Sequence, residues 1–217
     1  MNTVDTLSVL ATWTPYLLGG FVWNILIAFT AMVLGTSIGA LLACMRLAKS
    51  RAVTQTSTAL TELSRNVPTI VFQFYLAVML PSQWAVPGTD WTLDIPGWVK
   101  ASMALAVAVV GFTSDNLRPA ISEWREGRYS TALLFFPSWT SYLLIIVIAS
   151  STASIIGVSE LVSRCNAVIN ATGDTRIMLP IYLYASLFFV VLCYPLTRVM
   201  QRLKAVVASR MVVVTSV

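Results

Sequence analysis

Histidine does not occur in this chain, and charged residues of both signs make up only 11% of its 217 positions. Soluble domains carry roughly 25% charged residues, so no water-facing domain of ordinary composition is present. No long polar segment, low-complexity tract, charge block or internal repeat stands out. The sequence also lacks paired acidic residues inside apolar runs and a Gly-rich phosphate loop. It therefore holds neither a hydrolytic constellation nor a nucleotide site, and no catalytic residues are expected. Cys44, Cys165 and Cys193 are too scattered for a disulfide framework or a metal site and read as unpaired thiols. The opening "MNTVDTLSVLATW" has Asp5 as its one charge and lacks the basic region of a signal peptide. The first apolar run is expected to remain in the mature protein.

What is present is hydrophobic: 57% of residues, with a mean hydropathy of +0.79. A bilayer core about 30 Å thick needs about 20 helical residues. The intervals poor in charge predict an all-α membrane protein in a single unit, residues 1–217, with five spans at about 16–45, 67–84, 98–117, 138–158 and 178–196. The charge-free interval from Tyr129 to Ser159 would extend to about 46 Å as one helix, too long for one crossing and too short for two. Pro137 most simply divides it into a short lead-in segment and one span. Lys100, near the start of the third span, is expected to snorkel outward.

Basic residues set the orientation. One set of loops carries Arg46, Lys49, Arg51, Arg65, Arg118, Arg125, Arg128 and the tail residues Arg198, Arg202, Lys204 and Arg210. The opposite set has only Lys100, Arg164 and Arg176, beside Asp5, Asp90, Asp94, Glu160 and Asp174. The excess of Lys and Arg predicts an outside N-terminus and a cytoplasmic C-terminus. Trp84, Trp91 and Trp98 fit an outer aromatic belt. The net charge of +5 is accounted for by membrane orientation, with no nucleic-acid partner implied.

Polar groups inside apolar runs are the candidate functional residues. Asp115 is the one acidic residue within a predicted span, and an intramembrane carboxylate points to function. Arg118 follows one helical turn later and is its expected partner, an inner-end pair or gate. In "IASSTASIIGV", Ser150, Ser151, Thr152 and Ser154 can either line a polar path or bond back to the preceding turn and bend the helix. Gln73, Tyr75 and Asn24 can face a shared cavity. Gly35 and Gly39 form a small-residue face for close helix contact, either between subunits or within the chain. With no catalytic groups, the pattern reads as transport driven by energy from another protein.

Several stretches carry a family resemblance. "LLGGFVWNILIAFTAMVLGTSIGALLACMRLAKS", "ELSRNVPTIVFQFYLAVMLP", "GFTSDNLRPAI", "SIIGVSEL" and "LPIYLYASLFFVVLCYPLTRVMQRL" together resemble the permease subunits of polar amino-acid ABC importers, the histidine, glutamine, arginine and opine type. Arg65, Asn66, Val67 and Pro68 occupy the place of that family's Arg-Gly-Thr-Pro. Asp115, Arg118, Ala120 and Ile121 stand at its acidic-x-x-Arg-x-Ala-Ile stretch. The resemblance implies a bacterial inner-membrane, multi-pass permease, not itself an enzyme. Its partners would be a homologous permease, ATP-binding subunits that hold the ATP and Mg, an external substrate-binding protein and membrane lipid. The substrate would be a polar or charged amino acid or related compound, passing Gln73, Asp115, Ser150, Ser151 and Thr152.

Two departures from the family's pattern stand out. The family carries a Glu-Ala-Ala cytoplasmic loop of paired short helices that docks the ATPase. Here "EGRYSTALLFFPSW", Glu126 to Trp139, leaves no room for it between Gly127 and Pro137, so that Ile121, Trp124, Arg125 and Arg128 are the remnant contact. The family's Lys-Asp-Thr-Ser is replaced by neutral Ala149, Ser150, Ser151 and Thr152. A second reading of the same residues is therefore a non-transporting structural or regulatory permease-like subunit. A passive channel is the weaker third reading, because no ring-forming acidic or basic positions occur within the spans.

Overall fold

The computed structural model describes residues 3–85 and 92–214. Eight α-helices and one β-hairpin follow in order: α1 Thr3–Met45, α2 Arg51–Asn66, α3 Thr69–Met79, β1 Gln83–Ala85, β2 Thr92–Asp94, α4 Gly97–Arg125, α5 Tyr129–Ala132, α6 Phe135–Ala149, α7 Leu161–Thr172 and α8 Met178–Val214. A 3-10 segment, Ser150–Ile156, continues α6. Among the described residues, four helical stretches are long and apolar enough to cross a membrane: Thr6–Met45, Gly97–Arg125, Tyr129–Ile156 and Thr175–Val207.

The expected second span, 67–84, takes a different form. Its helix is α3, only 11 residues or about 16 Å, and the segment then turns into β1. Upstream stands α2, a helix the charge map had left as loop. The two are broken at Val67 and Pro68: Val67 is extended at φ −90°, ψ 126°, as proline demands of the residue before it. β1 pairs antiparallel with β2, Gln83 opposite Asp94 and Ala85 opposite Thr92, so the all-α expectation is amended by one short hairpin. Asp90 and Trp91, placed in the outer loop, lie outside the described residues.

α1 and α4 form the most extensive helix pair. Gly35 and Gly39 make it possible. A Cβ at Gly35 would sit 2.4 Å from Val109 Cβ, and one at Gly39 would sit 2.7 Å from Thr113 Cβ. The small-residue face thus serves packing within the chain. Around it, Ile27, Ala31 and Met32 of α1 meet Leu105 and Val109 of α4 and Ile146 and Val147 of α6. Trp139 Nε1 donates to Thr36 Oγ1 at 2.8 Å to bind α6 to α1. Toward the other end, Leu17 and Phe21 of α1 meet Leu161, Cys165 and Val168 of α7, Ile177 just before α8 and Ile181 of α8. Pro137 falls in the first turn of α6, where no intrahelical N–H is needed. The helix hydrogen bonding is interrupted slightly earlier, at Leu133 and Leu134, both still in the right-handed helical region, so α5 and α6 run as one apolar stretch, Tyr129–Ile156.

Lys100 is buried and does not reach outward. Its Nζ donates to Leu80 O at 2.6 Å, capping the carbonyl end of α3, where a cation is favoured by the helix dipole. Large apolar side chains such as Phe29, Val78 and Val191 remain exposed on the outer faces of α1, α3 and α8. Those surfaces suit lipid or another apolar partner.

Candidate functional site: a helix break and its charged lining

The break between α2 and α3 opens a cavity of about 600 Å³. Ser64, Arg65, Val67, Pro68 and Thr69 line it on one side; Ala108, Phe112, Asp115, Asn116 and Tyr142 line it on the other. Gly111 lets α2 approach α4, since a Cβ there would lie 2.6 Å from Arg65 Cγ. Phe112 and Tyr142 stack with centroids 3.9 Å apart and form a flat aromatic wall. The Tyr142 hydroxyl donates to Ala108 O at 3.3 Å. Asp115 lies 17 residues after Trp98, about 26 Å along the axis of α4.

Asp115 is held from two elements. Arg46, just past the end of α1, contacts Oδ1 at 2.6 Å, and Arg65 of α2 contacts Oδ2 at 2.5 Å. The Arg46 side chain is 11% exposed against 58% for Arg65. Arg46 also donates to Ser114 Oγ at 3.3 Å, and Ser114 shares a 2.8 Å hydrogen bond with Thr61 Oγ1 on α2. Ser57 Oγ donates to Leu42 O at 2.7 Å. The ends of α1 and α2 are thereby tied to α4 through one carboxylate and a row of hydroxyls. The expected partner, Arg118, is exposed and makes no ion pair among the described residues. Burial decides the competition. An almost buried Arg46 has the most to gain from Asp115, whereas Arg118 keeps its charge hydrated.

The hydroxyl run behaves as the back-bonding alternative describes, one residue tighter. Ser150, Ser151 and Thr152 each donate to the carbonyl three residues earlier at 2.7 Å, which fits the 3-10 geometry there. Their lone pairs alone remain for another partner. Ser150 Oγ accepts from Asn24 Nδ2 at 2.9 Å, and the same Nδ2 donates to Glu160 Oε2 at 2.9 Å. Glu160 is fully buried and accepts from the amides of Val162 and Ser163, capping α7. Burial pushes its carboxyl above the usual range, while Asn24 and the α7 amides pull it back. Arg164 adds a 2.7 Å bond to Tyr16 O and lies over the Tyr16 ring.

The sequence-predicted residues are thus not gathered in one place. Asp115 lines the cavity, where Arg65 joins it. Gln73 is fully buried on α3, and neither of its amide atoms has a partner among the described residues. It does not line the cavity. Tyr75 is exposed. Ser150 belongs to the Asn24–Glu160 network. Ile121, Trp124 and Arg125 remain on α4, which runs on to Arg125 and then turns through Gly127 at φ 80°. Arg128 in that turn is paired with Glu123 and with Glu126. Asn24 was expected to share a cavity with Gln73 and Tyr75 and instead bonds Ser150 and Glu160; Arg46, Arg65 and Glu160 were not among the expected site residues. For Arg65 the signal was present, a charge three residues before Pro68 at the start of an apolar run.

The helical bundle that carries this charged cluster has the fold of one chain of an ABC transporter. The structure matches a chain of a solved amino-acid ABC transporter, crystallised with histidines, with a TM-score of 0.75 over 92% of this chain and 97% of that one at 18% identity. No family model matches the chain. Among curated relatives, the glutamate/aspartate import permease protein GltK of Escherichia coli is 30% identical over 135 residues, 61% of this chain and 60% of its own length. The probable glutamine ABC transporter permease protein GlnP of Bacillus subtilis is 23% identical over 87% of this chain and 92% of its own. The nopaline transport system permease protein NocM of Agrobacterium fabrum is 24% identical over 73% and 75%. The resemblance to amino-acid and opine ABC permeases is borne out by these relatives. The match to GltK spans about 60% of that protein's length.

Proposed function

We propose that this chain is a transmembrane permease subunit of an ATP-driven importer for a polar or charged amino acid or related compound. It sits in the bacterial inner membrane with its N-terminus outside and its C-terminus in the cytoplasm, and α2 with α3 serves as a broken fifth crossing. Its partners are a homologous permease, ATP-binding subunits that carry out hydrolysis, and an external binding protein. Transporters use discontinuous helices for substrate and ion contacts, and this break sits toward the inner end of the crossing. Irregular backbone at that depth is tolerated where it borders protein or a polar cavity.

The observation that carries this reading is the Arg46–Asp115–Arg65 cluster at the α2–α3 break. It ties the ends of α1 and α2 to α4 through groups able to exchange partners, which suits a gate in a rigid-body rocking cycle. Amino-acid and opine import permeases among the relatives favour transport over a purely structural role. Uptake of labelled amino acids by proteoliposomes holding the whole complex tests the reading. Active uptake should require this chain and fall at least tenfold with Asp115→Asn while the complex stays assembled. Undiminished uptake without this chain would exclude it. Labelling of introduced cysteines tests the topology: positions in 118–128 should react only from the cytoplasmic side, and positions 92–94 only from outside.

A further inference from the structure

A second cavity of about 360 Å³ lies at the arginine-rich ends of the helices. It is a groove between the last turns of α4 and the start of the α5–α6 limb, lined by Leu117, Ile121, Trp124, Leu133 and Phe136, with Arg125 as its charged liner. Trp124 is 54% exposed and Phe136 61%. We propose that this groove binds an anionic phospholipid, one acyl chain against the aromatic floor and the phosphate on Arg125.

Position supports a lipid occupant. Leu117 lies about 29 Å along α4 from Trp98, where a hydrocarbon core of about 30 Å ends. The groove therefore spans the layer between acyl chains and headgroups. Both its walls belong to stretches long and apolar enough to cross a membrane, so it opens sideways to lipid. Trp124 and Tyr129 meet edge to face with centroids 4.8 Å apart, an amphipathic pair suited to the interface.

Charge selects the headgroup. Arg118 and Arg125 are seven residues apart, two turns along one face of α4. Both are exposed, and neither makes an ion pair among the described residues. The local acids, Glu123 and Glu126, are already taken by Arg128. α5 also packs against α8, whose later turns carry Arg198, Arg202 and Lys204. Two free guanidinium groups beside an apolar groove match a phosphate with a hydrocarbon tail. A zwitterionic headgroup leaves that excess positive charge unanswered.

The test reads the fluorescence of Trp124, taken as the difference between the wild-type complex and its Trp124→Phe variant. Bilayers contain brominated phosphatidylglycerol or brominated phosphatidylcholine at the same fraction. The Trp124 component should be quenched by phosphatidylglycerol with about a fivefold preference, the gain expected for one basic residue at a membrane surface. Arg125→Gln should abolish that preference, and Arg125→Lys should retain most of it. Equal quenching by both lipids would overturn the proposal. So would quenching by neither, which would mean that protein covers the groove, or a preference that survives Arg118→Gln with Arg125→Gln. The wild-type comparison needs no variant at the arginines, so misfolding of those variants cannot rescue the idea. The outcome is also independent of what the complex transports.

Discussion

Asp115 serves two arginines whose surroundings differ, and the difference can be measured. Arg46 is nearly buried, with its Nε lacking a partner among the described residues. Removing the carboxylate would leave that charge uncompensated, and losing one partner of a buried pair costs about 3–5 kcal/mol. Asp115 is itself 25% exposed, so a coupling of about 1–3 kcal/mol is expected between Arg46 and Asp115. Arg65 is mostly exposed, and its coupling should fall at about 0–1 kcal/mol. Double-mutant cycles with Arg46→Gln, Arg65→Gln and Asp115→Asn, read by thermal unfolding in detergent, check both values. Equal couplings would mean that burial does not set the hierarchy. Activity should divide the other way: Arg65 lines the cavity, so Arg65→Gln should slow uptake more than its small effect on stability suggests. The hydroxyls of Ser150, Ser151 and Thr152 are committed to backbone carbonyls and carry no charge. Replacing all three with Ala should alter the rate of uptake more than its apparent affinity. A large loss of affinity in an intact complex would place substrate directly on this segment.

At the scale of elements, the long apolar helices were legible because their burial follows a simple rule of length and hydropathy. α2 was not, for a physical reason. The side chains that it buries are Ser57 and Thr61, while Leu60 and Leu63 face away from the chain. Its inward face is hydroxylic, so the usual apolar stripe does not mark it. α7 was missed too, although its buried Leu161, Cys165, Val168 and Ile169 fall at i, i+4, i+7 and i+8, the helical period. Charge counting treated that interval as loop because Glu160 precedes the helix and Arg164 lies in its first turn. The Asp115–Arg46 pair was out of reach, since no spacing rule relates residues 69 positions apart. Close approach between elements gives two further expectations. Gly35→Ala places a Cβ 2.6 Å from Ala106 O, and overpacking of this kind costs about 1–3 kcal/mol. A lowered midpoint in thermal unfolding checks it. Gly20→Ala places a Cβ 2.9 Å from Leu161 Cα and N, backbone that cannot swing aside as a side chain would. α7 must then lift, and fully buried Cys165 should become reactive to a membrane-impermeant maleimide. Unchanged protection of Cys165 would show that α1 yields instead.

At the scale of the molecule, under the proposed function, the turn between α4 and α5 would set how this chain meets an ATPase. Transmitting a rigid-body switch needs contacts that differ between two states. Stable interfaces bury about 800 Å² per partner, and the chain offers little for that at this turn. α4 ends at Arg125, and three residues later the chain is already in the one-turn helix α5. Arg128 is engaged by Glu123 and Glu126 within the same turn, which leaves Arg118 and Arg125 as free cations for electrostatic contact. Ile121 and Trp124 are turned into the apolar groove. Under the proposed function, coupling is then asymmetric: the homologous permease seats its ATPase firmly, and this chain touches the second ATPase with a small polar footprint. Expressed alone, it should fail to retain an ATP-binding subunit through affinity purification, whereas the assembled complex should retain two. Arg118→Gln with Arg125→Gln should change ATPase retention by the whole complex less than twofold, because rim charges steer encounter more than they hold a complex. Stoichiometric ATPase bound to the isolated chain would overturn the asymmetry and place the docking surface on the α4–α5 turn itself.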